Sequence, residues 1–394
     1  MNRETVIGII GSGAMGSGIA QVAATAGHEV VVMDTNTEQL EKSKKNLRAT
    51  LDKLFNKGKI SKIISDDIFG RITFASTNAA FSKCGLTIEA IIEKLDVKQT
   101  VFKELEKIVP ADCILATNTS SLSITSIASA CENPTRVIGI HFFNPAPIMP
   151  LVEIIPAICT ESKHIHDCKT LIDNWGKITV IAKDSPGFIV NRVARSFYGE
   201  AIRIYEEGIA DFATIDWAMK HSGGFKMGPF ELMDFIGNDI NYKVTETVWE
   251  QFFYEPRFKP SLTQKRLFEA KHFGRKSGRG YYDYSEGAQM PVPLEDTGLG
   301  AQLFFRVLVM LINEAADALY LGLASKEDID IAMVKGVNYP KGLLKWADEL
   351  GVEPVYEKLQ ELYEEYGEDR YRPCVLLKRM AKTGKTFYES QATV

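Results

Sequence analysis

The sequence predicts an α/β chain, a doubly wound, mostly parallel sheet followed by two all-α domains related as an internal repeat. Three observations carry this reading. A glycine-rich turn joins an apolar strand to a helix close to the N-terminus. Apolar, β-branched runs then alternate with helical stretches as far as "ITVIAKD". From Pro186 onward the pattern is helical, and it later repeats itself.

The first strand is "TVIGII", and it ends at a turn where Gly11, Gly13 and Gly16 fit G-x-G-x-x-G. The helical stretch "GSGIAQVAATAGH" closes at Gly27. The second strand, "EVVVMD", ends in Asp34, 18 residues past Gly16. Strand, glycine turn, helix, strand and acid make a βαβ unit of the Rossmann type. In such a unit Gly11 permits the tight turn and Gly13 lets the backbone approach a pyrophosphate. Gly16 allows close packing of helix on strand, while Ala14 and Met15 lie at the helix start that faces the phosphates. Asp34 can accept both ribose hydroxyls of NAD and would repel the 2′-phosphate of NADP, so NAD is the expected cofactor.

"TEQLEKSKKNLRATLDKLFNKGKISKI" follows as a charged helical stretch. Its lysines at 53, 57 and 59 read either as a solvated face or as a clamp for a phosphate-rich substrate. "GLTIEAIIEKLDVKQTVFKELEKIV" is a strand passing into a helix, and "CILATNTSSLSI" is a strand with a polar tip. "RVIGIHFFNPAPIMPLVEIIP" and "ITVIAKD" add further strands. Ligands of such sheets bind at the carboxyl ends of the strands, where "NTSS" and "HFFNP" lie. His141 ends the apolar strand "RVIGI", and Glu153 stands twelve residues on in "LVEII". An acid in so apolar a run needs a partner if it is buried charged. A carboxylate on one ring nitrogen of His141 would fix the tautomer and leave the other nitrogen free as a base. A purely structural His–Glu hydrogen bond has the same spacing.

"NTSSL", "HFFNPAPIMPLVE" and "DSPGFIVNR", in that order behind the glycine turn, resemble the NAD-dependent L-3-hydroxyacyl-CoA dehydrogenase family, including its 3-hydroxybutyryl-CoA dehydrogenases. The resemblance runs from the first strand to "FGRKSGRGYYDY". It implies reversible oxidation of an L-3-hydroxyacyl-CoA, as in fatty acid β-oxidation, with His141 as general acid/base oriented by Glu153. Ser120 and Asn191 would hydrogen-bond the substrate. Cofactor contacts carry over to Asp34, Glu93, Lys98, Asn144 and Lys276, and a coenzyme A contact to Lys53. Ser120 also reads as a helix N-cap ahead of "LSITSIA", and Asn191 as a surface amide of a helix begun by Pro186. Where the family has an alanine-aspartate pair, this chain has Cys84-Gly85, which could loosen the turn. The alternatives are a β-hydroxyacid dehydrogenase on free acids, which would need a lysine near "GFIVNR", and a non-enzymatic NAD-binding protein.

The expected domains are 1–184, the NAD-binding domain; 185–284, a catalytic helical copy; 285–298, a linker; and 299–394, a structural helical copy. At a constant offset of 114, Glu314 answers Glu200, Asp330 answers Asp216, Met333 answers Met219 and Asp348 answers Asp234. The ending "KTGKTFYES" echoes "KSGRGYYDY". Phe305 stands at the position of Asn191 and cannot hydrogen-bond a substrate. The second copy could replace a partner subunit, giving a pseudo-dimeric monomer, or a true homodimer could remain.

Composition narrows the partners. The 394 residues are 45% hydrophobic and 25% charged, which suits a buried core. A net charge of −5 gives no broad basic surface, so no nucleic acid partner is expected. No apolar run suggests a membrane span, no signal peptide precedes the first strand, and a cytoplasmic location is expected. The six cysteines are scattered and read as reduced thiols. His164 and His166 in "SKHIHDC" read as a solvated polar segment, and no metal is expected.

Overall fold

Short apolar runs buried on both faces, such as Ile7–Ile10, fit only a sheet covered on both sides. The computed structural model, which describes residue 1 and residues 3–388, builds that sheet in a first unit, Met1–Ser185. Its elements are β1 (Ile7–Ile10), α1 (Ala14–Thr25), β2 (Val30–Met33), α2 (Thr37–Asn56), α3 (Lys62–Gly70), β3 (Ile72–Ala75), β4 (Leu86–Glu89) and α4 (Leu95–Leu105). They continue with β5 (Ile114–Thr117), α5 (Ile124–Ala128), β6 (Val137–Phe142), β7 (Leu151–Pro156), α6 (Ser162–Asn174) and β8 (Ile178–Ile181). The sheet order is β3-β2-β1-β4-β5-β6-β7-β8. Strands β1 to β6 run parallel, β7 is antiparallel to β6, and β8 is parallel to β7. The first six strands have the doubly wound dinucleotide-binding order.

The sequence reading missed β3, a partly exposed edge strand in "RITFA". The charged stretch is helical as α2 and the start of α3, with a break after Asn56 and Gly58 at φ +65°. His164 is only 8% exposed, on the inner face of α6, so its segment is an amphipathic helix and not a solvated strip. Gly85 is closely packed: a Cβ there would meet Thr5 Cγ2 at 2.8 Å, beside a fully buried Cys84.

The glycines of the first turn are not equivalent. Gly11 has φ +98°. A Cβ on Gly16 would lie 1.9 Å from the Gly11 carbonyl oxygen, whereas one on Gly13 would meet nothing within 4 Å. One glycine seats the helix on the turn, and the other leaves an open approach to the start of α1.

A second compact unit begins at Pro186. It contains α7 (Val190–Val193), α8 (Arg195–Glu206), α9 (Phe212–Gly223), α10 (Pro229–Ile236), α11 (Asn238–Gln251) and α12 (Leu262–Glu269). After an irregular segment come α13 (Thr297–Tyr320), α14 (Lys326–Gly336), α15 (Leu343–Leu350), α16 (Val352–Tyr366) and α17 (Val375–Thr383). The two helical stretches share this one unit. Among the described residues, α13 is long and apolar enough to cross a membrane, but 72% of its apolar window is buried, which is the signature of a core helix.

Positions 114 residues apart in the two stretches make similar bonds. Asp216 accepts from the N–H groups of Phe230 and Glu231 and from the Tyr282 hydroxyl. Asp330 accepts from Leu344, Lys345 and the Tyr388 hydroxyl. Asp234 binds the N–H groups of Tyr281 and Tyr282, and Asp348 those of Phe387 and Tyr388. The end of the "KTGKTFYES" echo, from Glu389, lies outside the described residues. Buried ion pairs cross between the stretches. Arg192 Nε donates to Glu314 Oε1 at 2.5 Å, and Arg306 Nε donates to Glu200 Oε1 at 2.6 Å.

Gly16→Ala is expected to destabilise the first unit by about 1–3 kcal/mol through overpacking, and Gly13→Ala to change stability by under about 0.5 kcal/mol. Urea denaturation distinguishes them. Arg306→Met leaves Glu200, 1% exposed, without its cation. The expected loss is about 3–5 kcal/mol, read as a lower melting temperature.

Candidate active site

The carboxyl end of β1 leads into the glycine turn, and the carboxyl end of β2 presents Asp34 beside it. Asp34 Oδ2 accepts from both the N–H and the hydroxyl of Ser12 at 2.8 Å, and its Oδ1 accepts from Asn36 N–H at 3.0 Å. Burial pushes the Asp34 carboxyl up, but these three donors outweigh it and hold the group below the usual carboxylate range. An ionised acid therefore stands at the rim of a cavity of about 650 Å³, lined by Gly11, Gly13, Asp34, Gln39, Ile91 and Val101 among others. Gly13, at the N-cap of α1, brings no side-chain acceptor to the helix start. An open glycine, an uncapped helix start and an ionised carboxylate fit the pyrophosphate and ribose of a dinucleotide.

A second set of acids organises the next strand ends. Glu89, the last residue of β4, is fully buried. It accepts from Lys98 Nζ at 2.6 Å, from Ile91 N–H at 2.7 Å and from the Thr117 hydroxyl at 2.7 Å. Lys98, 1% exposed, also pairs with Glu93 at 3.2 Å. Its ammonium is thus enclosed between two carboxylates. Glu93 Oε1 accepts from Ser120 N–H at 3.0 Å and from the hydroxyls of Thr119 and Ser121. Burial pushes the Glu93 carboxyl up, but the Lys98 charge and these donors reverse the shift, and it lies low. Ser120 is held in an ordered loop and does not cap the following helix; Ser123 caps α5. Asp184, beyond β8, adds a carboxylate that accepts from Ser123 Oγ, Ile124 N–H and Thr125 N–H.

His141 lies inside β6, not at its end, and is directly opposite Glu153 across the antiparallel pair with β7. Directly opposed residues share a face. His141 Nδ1 and Glu153 Oε2 are 2.7 Å apart, with His141 5% exposed and Glu153 fully buried. The Phe143 ring lies 4.5 Å from the imidazole, centre to centre. Asn118 Oδ1 accepts from Phe142 N–H at 2.8 Å, which ties the "NTSS" loop to the same strand. Asn144 is exposed on the loop between β6 and β7, and Lys53 is exposed on α2.

Two residues from the sequence reading belong to the helical unit. Asn191 is half-buried in α7, which starts at Val190 and not at Pro186. Its carbonyl accepts from the buried Arg195 at 2.9 Å. Lys276 pairs with Asp239 at 2.6 Å. The sequence reading passed over Ser12, Glu89, Thr117, Thr119 and Asp184. Glu89 left one trace, an acid at the end of an otherwise apolar strand, which is the same pattern that exposed Asp34.

Comparison with known proteins adds the family. The profile of the 3-hydroxyacyl-CoA dehydrogenase NAD binding domain matches residues 6–185, and that of the 3-hydroxyacyl-CoA dehydrogenase C-terminal domain matches 187–284 and 304–394. The chain is similar to a 3-hydroxyadipyl-CoA dehydrogenase of Escherichia coli (strain K12), at 36% identity over 97% of this chain and 98% of the relative. It is 42% identical to the mitochondrial hydroxyacyl-coenzyme A dehydrogenase of Homo sapiens, over 70% of this chain and 90% of that one. The crystal structure of a 3-hydroxybutyryl-CoA dehydrogenase from Escherichia coli K12 superposes with a TM-score of 0.93 at 36% identity, covering 97% of this chain and 99% of that chain. The chain belongs to the NAD-dependent 3-hydroxyacyl-CoA dehydrogenase family of oxidoreductases.

Proposed function

We propose that the protein catalyses the reversible oxidation of an L-3-hydroxyacyl-CoA to the 3-oxoacyl-CoA, with His141 as general acid/base. The observation that carries this is the 2.7 Å contact between two buried groups, His141 Nδ1 and Glu153 Oε2. With the carboxylate on Nδ1, that nitrogen keeps its proton and Nε2 carries the basic lone pair. His141 Nε2 then takes the proton of the substrate hydroxyl, and Glu153 stabilises the imidazolium that results. NAD, when bound, accepts the hydride from the carbinol carbon. In the reverse direction the imidazolium returns its proton to the developing alkoxide. Glu93, reaching the Ser120 main chain, orients a hydroxyl suited to the substrate oxygen. For Asn191 as a substrate contact, Lys276 and Lys98 as cofactor contacts, and Lys53 as a coenzyme A contact, the support is the family likeness.

We also propose that the helical half is a duplication in which the second copy takes the place of a partner subunit. Support comes from the reciprocal pairs Arg192–Glu314 and Arg306–Glu200, since an isologous interface pairs i with j and j with i. The parallel bonds of Asp216 and Asp330 point the same way.

Reduction of acetoacetyl-CoA by NADH tests the chemistry. His141→Ala is expected to lose about 10²–10⁴-fold in turnover while NADH still binds, and near-normal turnover in that variant overturns the assignment. Oxidation of the alcohol should slow as pH falls and the base takes up a proton. A profile that stays flat through the titration of a His, with chemistry rate-limiting, contradicts the role. Light scattering should give the mass of one chain, 43.9 kDa; twice that value rejects the partner replacement.

A further inference from the structure

The loop from Phe143 to Pro150 leaves the His141 strand and returns on the Glu153 strand. Its first residue packs its ring on the imidazole. Further along, Ala146 and Pro147 lie against α1: a Cβ added to Gly18 would stand 3.2 Å from Ala146 Cβ and 3.2 Å from Pro147 Cδ. One loop therefore touches both the histidine and the helix that begins at the glycine turn. Its only internal backbone ties among the described hydrogen bonds run from Ile148 N–H and Met149 N–H to the Pro145 carbonyl.

Lys177, just ahead of β8, also holds this loop. Its Nζ donates to the Ala146 carbonyl at 2.5 Å and to the Met149 carbonyl at 2.9 Å. Among the described residues it makes no ion pair, in contrast with Lys169, which pairs with Asp173 at 2.8 Å. Burial pulls the Lys177 amine below the ordinary lysine range, so the arrangement carries a desolvation cost. An ammonium that forgoes a carboxylate for two carbonyls of one loop serves the conformation of that loop.

We propose that Lys177 is a positioning residue for hydride transfer: by holding the Ala146 and Met149 carbonyls it sets where the loop presents Asn144 to the dinucleotide and Phe143 to the His141 ring. This rests on the reading of His141 and the dinucleotide turn as one active site. The sequence "NWGKITV" shows only a lysine ahead of a strand, and no feature of it announces the two-carbonyl grip.

The test uses the full chain, with NADH affinity measured by fluorescence titration and acetoacetyl-CoA reduction by steady-state kinetics. Lys177→Met is expected to weaken NADH binding by about fivefold or more and to lower kcat, with the acetoacetyl-CoA KM within about twofold of wild type. Lys177→Arg should recover most of both. In a chain already carrying Asn144→Ala, Lys177→Met should cost clearly less NADH affinity than it does in the wild type. An NADH affinity and a kcat within twofold of wild type in Lys177→Met overturn the proposal, and so does strict additivity with Asn144→Ala. If Lys177→Met does not fold, Lys177→Gln is measured in the same way and the same outcomes decide. A wild-type chain that binds NADH but does not reduce acetoacetyl-CoA would refute the proposed reaction, while the NADH affinities would still decide the role of Lys177.

Discussion

A carboxylate with no access to water faces an imidazole across two antiparallel strands, and the rest of the first unit is arranged around that constraint. An isolated charge at Glu153 would be prohibitive in so apolar a strand, and a hydrogen-bonded partner directly opposite removes most of that cost. The partner is available only because the sheet reverses direction between β6 and β7. A parallel crossover would have offset the two residues and placed a helix between them in the chain. The reversal needs a connection at the carboxyl end of β6, and that connection is the loop which carries Asn144 and rests on α1.

The same device recurs at the other strand ends. Asp34, Glu89, Glu93 and Asp184 each use a carboxylate to collect backbone N–H groups or hydroxyls from a neighbouring loop. Such acceptors fix loops more firmly than loop sequence alone could, because a charge-assisted hydrogen bond is about twice as strong as a neutral one. The helical unit repeats the theme, with Asp216 and Asp330 holding the starts of α10 and α15. Precision at the strand ends is thus electrostatic, while the sheet between them is held by packing.

What could be read from the sequence follows from the range of each interaction. The glycine turn is local, so the spacing of Gly11, Gly13, Gly16 and Asp34 conveys it directly. His141 and Glu153 stand out because a polar residue in an apolar strand is conspicuous, although nothing in the spelling says that the two strands are antiparallel. Strand β3 escaped because an edge strand with one solvated face has little apolar signal. The burial of Lys98 and the grip of Lys177 could not be read, since a lysine in a helix or before a strand looks solvent-facing until the tertiary fold closes over it. The position of Ser120 is legible, but the cap of α5 is Ser123, three residues on, which spelling alone does not distinguish from its neighbours.

The cross-paired arginines of the helical unit have a consequence for the order in which the chain can mature. Arg192 and Glu200 are made early, whereas Glu314 and Arg306 lie on α13, more than a hundred residues further along the chain. While the ribosome is still short of α13, the earlier helices hold two charges without these α13 partners. Those two pairs can form only once α13 has been made, and a chain truncated before Thr297 would leave Arg192 and Glu200 in water where the full protein pairs them.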